Sequence, residues 1–155
     1  MTSPFTPATI PSGGSSTGGG QILGSTNLTS LNFTTASTTP VLITGAEVAV
    51  TVPSGGGTVV VTAGGGQIDN NTAGDFVEVT LWDGVVGSGT QLTISPGISR
   101  GANDPLAWSI LASHVPAAGA HTYRLGLNAV VGGTAQIYCA AANTTGVSFV
   151  VMYFA

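Results

Sequence analysis

From residue 21 onward, apolar and polar side chains alternate with a period of two, and glycine clusters interrupt the alternation at short intervals. A period of two sends alternate side chains to opposite faces of an extended strand, while no window of about 11 residues repeats at the 3.6 of a helix. The β-branched run Thr58-Val59-Val60-Val61-Thr62 lies between Gly55-Gly56-Gly57 and Gly64-Gly65-Gly66. Val41–Thr44 and Glu47–Val52 read as one long strand or two short ones, broken at Gly45. Phe76, Glu78, Thr80 and Trp82 alternate with Val77, Val79 and Leu81, and further strands are expected at Gln91–Ser95, Ala107–Leu111, Thr122–Asn128, Thr134–Ala140 and Ser148–Phe154. Asp83-Gly84 supplies a turn, and Gly132-Gly133 predicts a hairpin between the runs on either side of it. Short strands with turn chemistry between them indicate an all-β antiparallel sandwich or barrel of about eight strands.

Residues 1–20 are different. Pro4, Pro7 and Pro11 lead into Ser12-Gly13-Gly14-Ser15-Ser16-Thr17-Gly18-Gly19-Gly20, a composition that favours extended or coil backbone and cannot build a core. The expected organisation is an N-terminal arm over 1–20 and one β-sandwich domain over 21–155. Phe5 and Ile10 are the arm's two large apolar side chains after Met1 and the candidates for anchoring it on a partner.

The charge content bounds the function. Only 5% of residues are charged, against about 25% in an ordinary domain, and no lysine is present. Phosphate binding needs a basic stripe, and Arg100 and Arg124 cannot make one, so no nucleic-acid partner is expected. Met1-Thr2-Ser3-Pro4-Phe5 has neither the basic nor the apolar region of a secretory signal. The apolar run Val147–Ala155 is far short of the about 20 residues of a membrane helix, so no membrane partner is expected. A chain that is 43% apolar with so little charge points instead to life in an assembly.

Chemistry-bearing motifs are weak. Asp69, Asn71 and Gly74 match three places of a calcium loop, but position five is Ala73 and position twelve is Thr80, so the bidentate carboxylate is missing. His114 and His121 flank Pro116-Ala117-Ala118-Gly119, with Asp83 and Asp104 the nearest acids, in no spacing typical of metal ligands; they read as surface-loop histidines. Ser88 in Gly87-Ser88-Gly89 is not a nucleophile elbow. The glycine runs lack the Lys-Ser/Thr of a phosphate loop, and Cys139, the single cysteine, reads as a buried inert thiol. Sequons at Asn27, Asn32, Asn70 and Asn143 fit chance in a threonine-rich chain. Trp82, Trp108 and Tyr123 read as core fillers, with a sugar-stacking platform as the alternative. No catalytic residue, cofactor or metal is expected, and the chain does not read as an enzyme.

Two stretches carry a resemblance. Asp75-Phe76-Val77-Glu78-Val79-Thr80-Leu81-Trp82-Asp83-Gly84 followed by Gly87-Ser88-Gly89-Thr90-Gln91-Leu92, and Pro116-Ala117-Ala118-Gly119-Ala120-His121-Thr122-Tyr123-Arg124-Leu125 leading to an apolar C-terminal strand, resemble tailed-phage surface proteins. These are the jelly-roll modules, TNF-like in outline, of capsid decoration proteins, head fibres and tail-fibre tips. The resemblance covers about residues 40–155 and carries no invariant functional residue. It implies a jelly roll that assembles as a homotrimer through apolar faces, binds the major capsid protein on the outer surface of the virion and stabilises the head. The C-terminal strand, with Phe149, Val151 and Tyr153, is then expected in the core or at the subunit interface. The alternative is a receptor- or glycan-binding module of the tail, recognising its target through loops around 69–75 and 99–105. A small hydrolase or metal enzyme using His114 and His121 is a remote third, and would need both histidines and an acid to converge.

Overall fold

The computed structural model describes residues 19–29, 32–98, 104–139 and 146–155. Eleven strands form three antiparallel sheets, with no helix among the described residues. The strands are β1 (Gln21–Leu28), β2 (Asn32–Thr35), β3 (Val41–Val52), β4 (Thr58–Gly64), β5 (Gln67–Asn70), β6 (Phe76–Asp83), β7 (Thr90–Ile98), β8 (Ser109–His114), β9 (Gly119–Ala129), β10 (Ala135–Tyr138) and β11 (Val147–Phe154). One main sheet has the order β1-β11-β4-β8 and the other β3-β9-β6-β7, while β2-β10-β5 is a small third sheet. Apart from the β6–β7 hairpin, successive strands of the two main sheets alternate between them, which makes the sandwich a jelly roll.

The alternation in sequence becomes alternation of burial. On β4, Val59, Val61 and Ala63 point inward, and on β11 Val147, Phe149, Val151 and Tyr153 do the same. Tyr123, Leu125, Leu127 and Ala129 of β9 meet them from the opposite sheet, with Val77, Val79 and Leu81 of β6 alongside. The three residues expected on the C-terminal strand, Phe149, Val151 and Tyr153, therefore lie in the hydrophobic core of the chain. At Gly45, φ is +79° and the β3–β9 register shifts between Leu42 and Glu47, so the long strand expected there is one strand with a bulge.

The two main sheets hold the eight strands of the expected jelly roll, and β2, β5 and β10 form the small third sheet beside them. One expectation is corrected. Gly132-Gly133 does not close a hairpin: β9 pairs with β3 on one edge and β6 on the other, and a strand has only two edges. β10 goes to the small sheet instead, between β2 and β5. The connection is held by the end of β5 and the residue after it: Asn70 Nδ2 donates to the Gly132 carbonyl (3.0 Å) and Asn71 Oδ1 accepts from Thr134 N (2.8 Å). Asp83-Gly84 does begin a turn, the six-residue 84–89 connection of the β6–β7 hairpin.

Candidate functional site

Phe5 and Ile10 lie outside the described residues, as does most of the 99–105 loop. The 69–75 loop is described, and Asn70 and Asn71 use their amide groups to pin the 132–134 segment, as above. Asn70 Oδ1 also accepts from Thr72 N at 3.0 Å. The aromatic residues do not form an exposed platform, since Trp82, Trp108 and Tyr123 are all buried. Cys139 is buried too, and desolvation pushes its thiol above the usual range, against a smaller opposing effect of a hydrogen bond with the Val147 backbone.

The feature that sequence reasoning missed is where the charge goes. Among the described residues the Asp, Glu and Arg side chains are Glu47, Asp69, Asp75, Glu78, Asp83, Asp104 and Arg124. All but Asp104, which lies between β7 and β8, are on β3, β5, β6, β9 or the β5–β6 loop, and the strands β1, β4, β8 and β11 themselves carry none. Because Val59, Val61, Phe149 and Val151 point inward, the intervening residues make the outer face of this sheet. Two cross-strand rows read Ile22–Met152–Val60–Ser113 and Ser25–Val150–Thr62–Leu111. Ile22 and Leu111 are each 65% exposed, and Phe154 is 38% exposed at the sheet's end. The sequence signal was Val60 on β4 and Val150, Met152 and Phe154 on β11, apolar residues at outward positions of strands whose inward positions are also apolar.

At one end of the sandwich the structure brings together residues that are far apart in sequence. His114 ends β8, and two residues into β9 the side chain of His121 faces inward beside Tyr123. His114 Nε2 lies 2.9 Å from the Tyr123 hydroxyl, and the rings meet edge to face with centroids 5.6 Å apart. His121 stacks on Tyr123, centroids 6.3 Å apart. His121 Nδ1 is 2.8 Å from Asp83 Oδ2, and Nε2 is 2.9 Å from the Ala117 carbonyl. These are therefore not free surface histidines, as their loop setting in sequence suggested.

Burial sets the protonation of this group. Desolvation holds His114 below the ordinary imidazole value, outweighing the attraction of Asp83, and His121 adds to the lowering. Burial, together with the Asp83 charge, pushes the Tyr123 phenol far above its usual range, so it keeps its proton. Tyr123 contacts both histidines, and both ring nitrogens of His121 face internal acceptors. No cluster of three or more metal-ligating side chains occurs among the described residues. What the arrangement offers chemically is a proton-dependent tie between strands.

No family model matches the chain, and no curated protein matches it in sequence. Among solved structures, its fold is similar to that of Eiger TNF from S. frugiperda, with a TM-score of 0.50 and 11% sequence identity, covering 86% of this chain and 94% of that one. At that identity the likeness is one of fold alone: a TNF-like jelly roll.

Proposed function

We propose that the chain is a structural protein of a tailed-phage virion, a decoration protein that assembles as a homotrimer and binds the major capsid protein on the outside of the head. The observation that carries this reading is the outer face of the β1-β11-β4-β8 sheet, which holds no charged side chain and exposes Ile22 and Leu111. A face of this kind resembles a core cut in half, the signature of an obligate interface between copies. Burying apolar area is worth about 25 cal/mol per Å², which favours covering this face with other copies. The virion assignment rests on the resemblance of the 75–92 and 116–125 stretches to phage surface modules. In this reading residues 1–20 reach the shell, with Phe5 and Ile10 as the apolar anchors. Stabilisation is then linkage: a trimer bound across neighbouring capsid subunits must be released before they separate.

Two measurements test it. Sedimentation of the full chain at micromolar concentration is expected to give a trimer, and a stable monomer would overturn the assembly. Immunogold labelling of particles from the producing lysate is expected on heads. Gold confined to tail tips would replace the proposal with the receptor- or glycan-binding alternative, and unlabelled particles would reject a virion role.

A further inference from the structure

The corner where β8 passes to β9 is held by four titratable side chains from three strands: His114, His121, Tyr123 and Asp83. The 115–118 connection between these strands crosses from one main sheet to the other and closes the end of the sandwich. The Ala117 carbonyl of this connection lies 2.9 Å from His121 Nε2. We infer that this corner is an acid-sensitive latch: with His114 neutral the connection stays closed, and a proton on His114 releases it while the sheets remain paired.

The geometry supplies the reason. A neutral His114 with its proton on Nδ1 accepts the Tyr123 hydroxyl at Nε2. Once Nε2 carries a proton it becomes a donor, and the tyrosine hydroxyl must turn round to accept. The new positive charge is poorly hydrated and lies near His121, while the Asp83 carboxylate is already engaged by His121. Among the described residues no other group relieves it. The register partner of His114 on β4 is Val59, and β7, packed against β8, has no titratable side chain. Tyr153 of β11 gives its hydroxyl to the Gly56 carbonyl at 2.7 Å, and Glu47 pairs with Arg124 on the outward face of the other main sheet.

The direction follows from linkage. Because burial depresses His114, the closed corner binds fewer protons than the open one. Closure is therefore complete above about pH 6.5, the ordinary imidazole value, and weakens below it by up to about tenfold per pH unit. It stops weakening once His114 takes a proton in the closed form as well. This latch does not depend on the virion reading.

Hydrogen exchange of the full chain, corrected for intrinsic rates and compared at about pH 7.5 and about pH 5, reads it directly. Protection over 112–121 is expected to fall at the lower pH, by no more than the about tenfold per pH unit below 6.5 that linkage allows, while that over 147–154 holds. In His114→Gln the corner should show no such pH dependence. The inference is overturned if the wild-type corner does not change, if His114→Gln keeps the loss, or if 147–154 opens in step. Should His114→Gln fail to fold, NMR titration of wild-type His114 decides: a midpoint below 6.5 supports the latch, and one at or above 6.5 overturns it.

Discussion

Trp82 Nε1 donates to Thr80 Oγ1 at 2.8 Å, and both side chains are buried although they lie on the face of β6 that turns away from the core. They are covered from outside. Val86, from the β6–β7 connection, and Pro40, from the segment before β3, both lie close over Gly126 of β9, the register neighbour of Thr80. The β3-β9-β6-β7 sheet is thus packed on both faces over part of its area, unlike its charge-free counterpart.

Gly126 is the residue that permits this second layer. A Cβ there would stand 2.6 Å from Thr80 Oγ1, 2.9 Å from Val86 Cγ1 and 3.2 Å from Pro40 Cβ. Gly126→Ala is therefore expected to cost about 1–3 kcal/mol by overpacking. Thermal unfolding should show it as a fall of roughly 2–4 °C per kcal/mol, with Trp82 fluorescence shifted to the red. An unchanged midpoint would mean that the covering segment yields freely.

Replacing an outward residue of the charge-free sheet separates assembly from folding. Leu111→Asp places a carboxylate on the face proposed to meet other copies, at a side chain 65% exposed in the protomer. The expected product is a folded monomer, since exposed substitutions of this type usually change stability by less than about 0.5 kcal/mol. Ala49→Asp, on the outward side of β3, is the control and should leave the assembly intact. Sedimentation checks both, and equal behaviour of the two variants would reject this face as the interface.

Adjacent positions on β11 test the register. Phe149 is fully buried in the core and Val150 points outward. Phe149→Ala is expected to cost about 3–5 kcal/mol, a large part of the about 5–15 kcal/mol that holds a domain together. Val150→Ala should cost far less within the protomer. Denaturant titration distinguishes them, and the reverse order would mean a strand slipped by one residue.

These cases show what the chain made legible. β4, β6 and β11 could be read directly because β-branched and aromatic side chains alternate cleanly between turn residues. β1 was obscured by Gly24, where its register against β11 shifts, and β5 by the polar pair Asp69 and Asn70, buried although polar. Gly132-Gly133 announced a change of direction, but turn chemistry does not say which edge is free to receive the next strand. The His114–Tyr123–His121–Asp83 group was hidden for a related reason. Asp83 reaches His121 from 38 residues away, a distance that only strand pairing closes. A partial signal existed in His121-Thr122-Tyr123, whose alternation places both rings on one face.

Alkaline titration gives the last test, because burial sets the Tyr123 phenol against ionisation. Both Tyr123 and Tyr138 are raised above the ordinary value, each first by desolvation and then by a nearby carboxylate, Asp83 for Tyr123 and Asp69 for Tyr138. A phenol that is harder to ionise when folded stabilises the fold fully below its unfolded value of about 10. That contribution is lost as pH rises above 10 toward the folded value. Absorbance at about 295 nm should therefore show the ionisation of Tyr123 delayed until the structure opens, together with a loss of β-sheet circular dichroism. Tyr123→Phe should remove that late step and abolish its share of the alkaline loss of stability. It should also lower stability at neutral pH by about 1–3 kcal/mol, because His114 is left beside a ring with no hydroxyl. If all tyrosine absorbance titrates near pH 10 with the circular dichroism unchanged, Tyr123 is reached by solvent and its hydroxyl does not seal the corner.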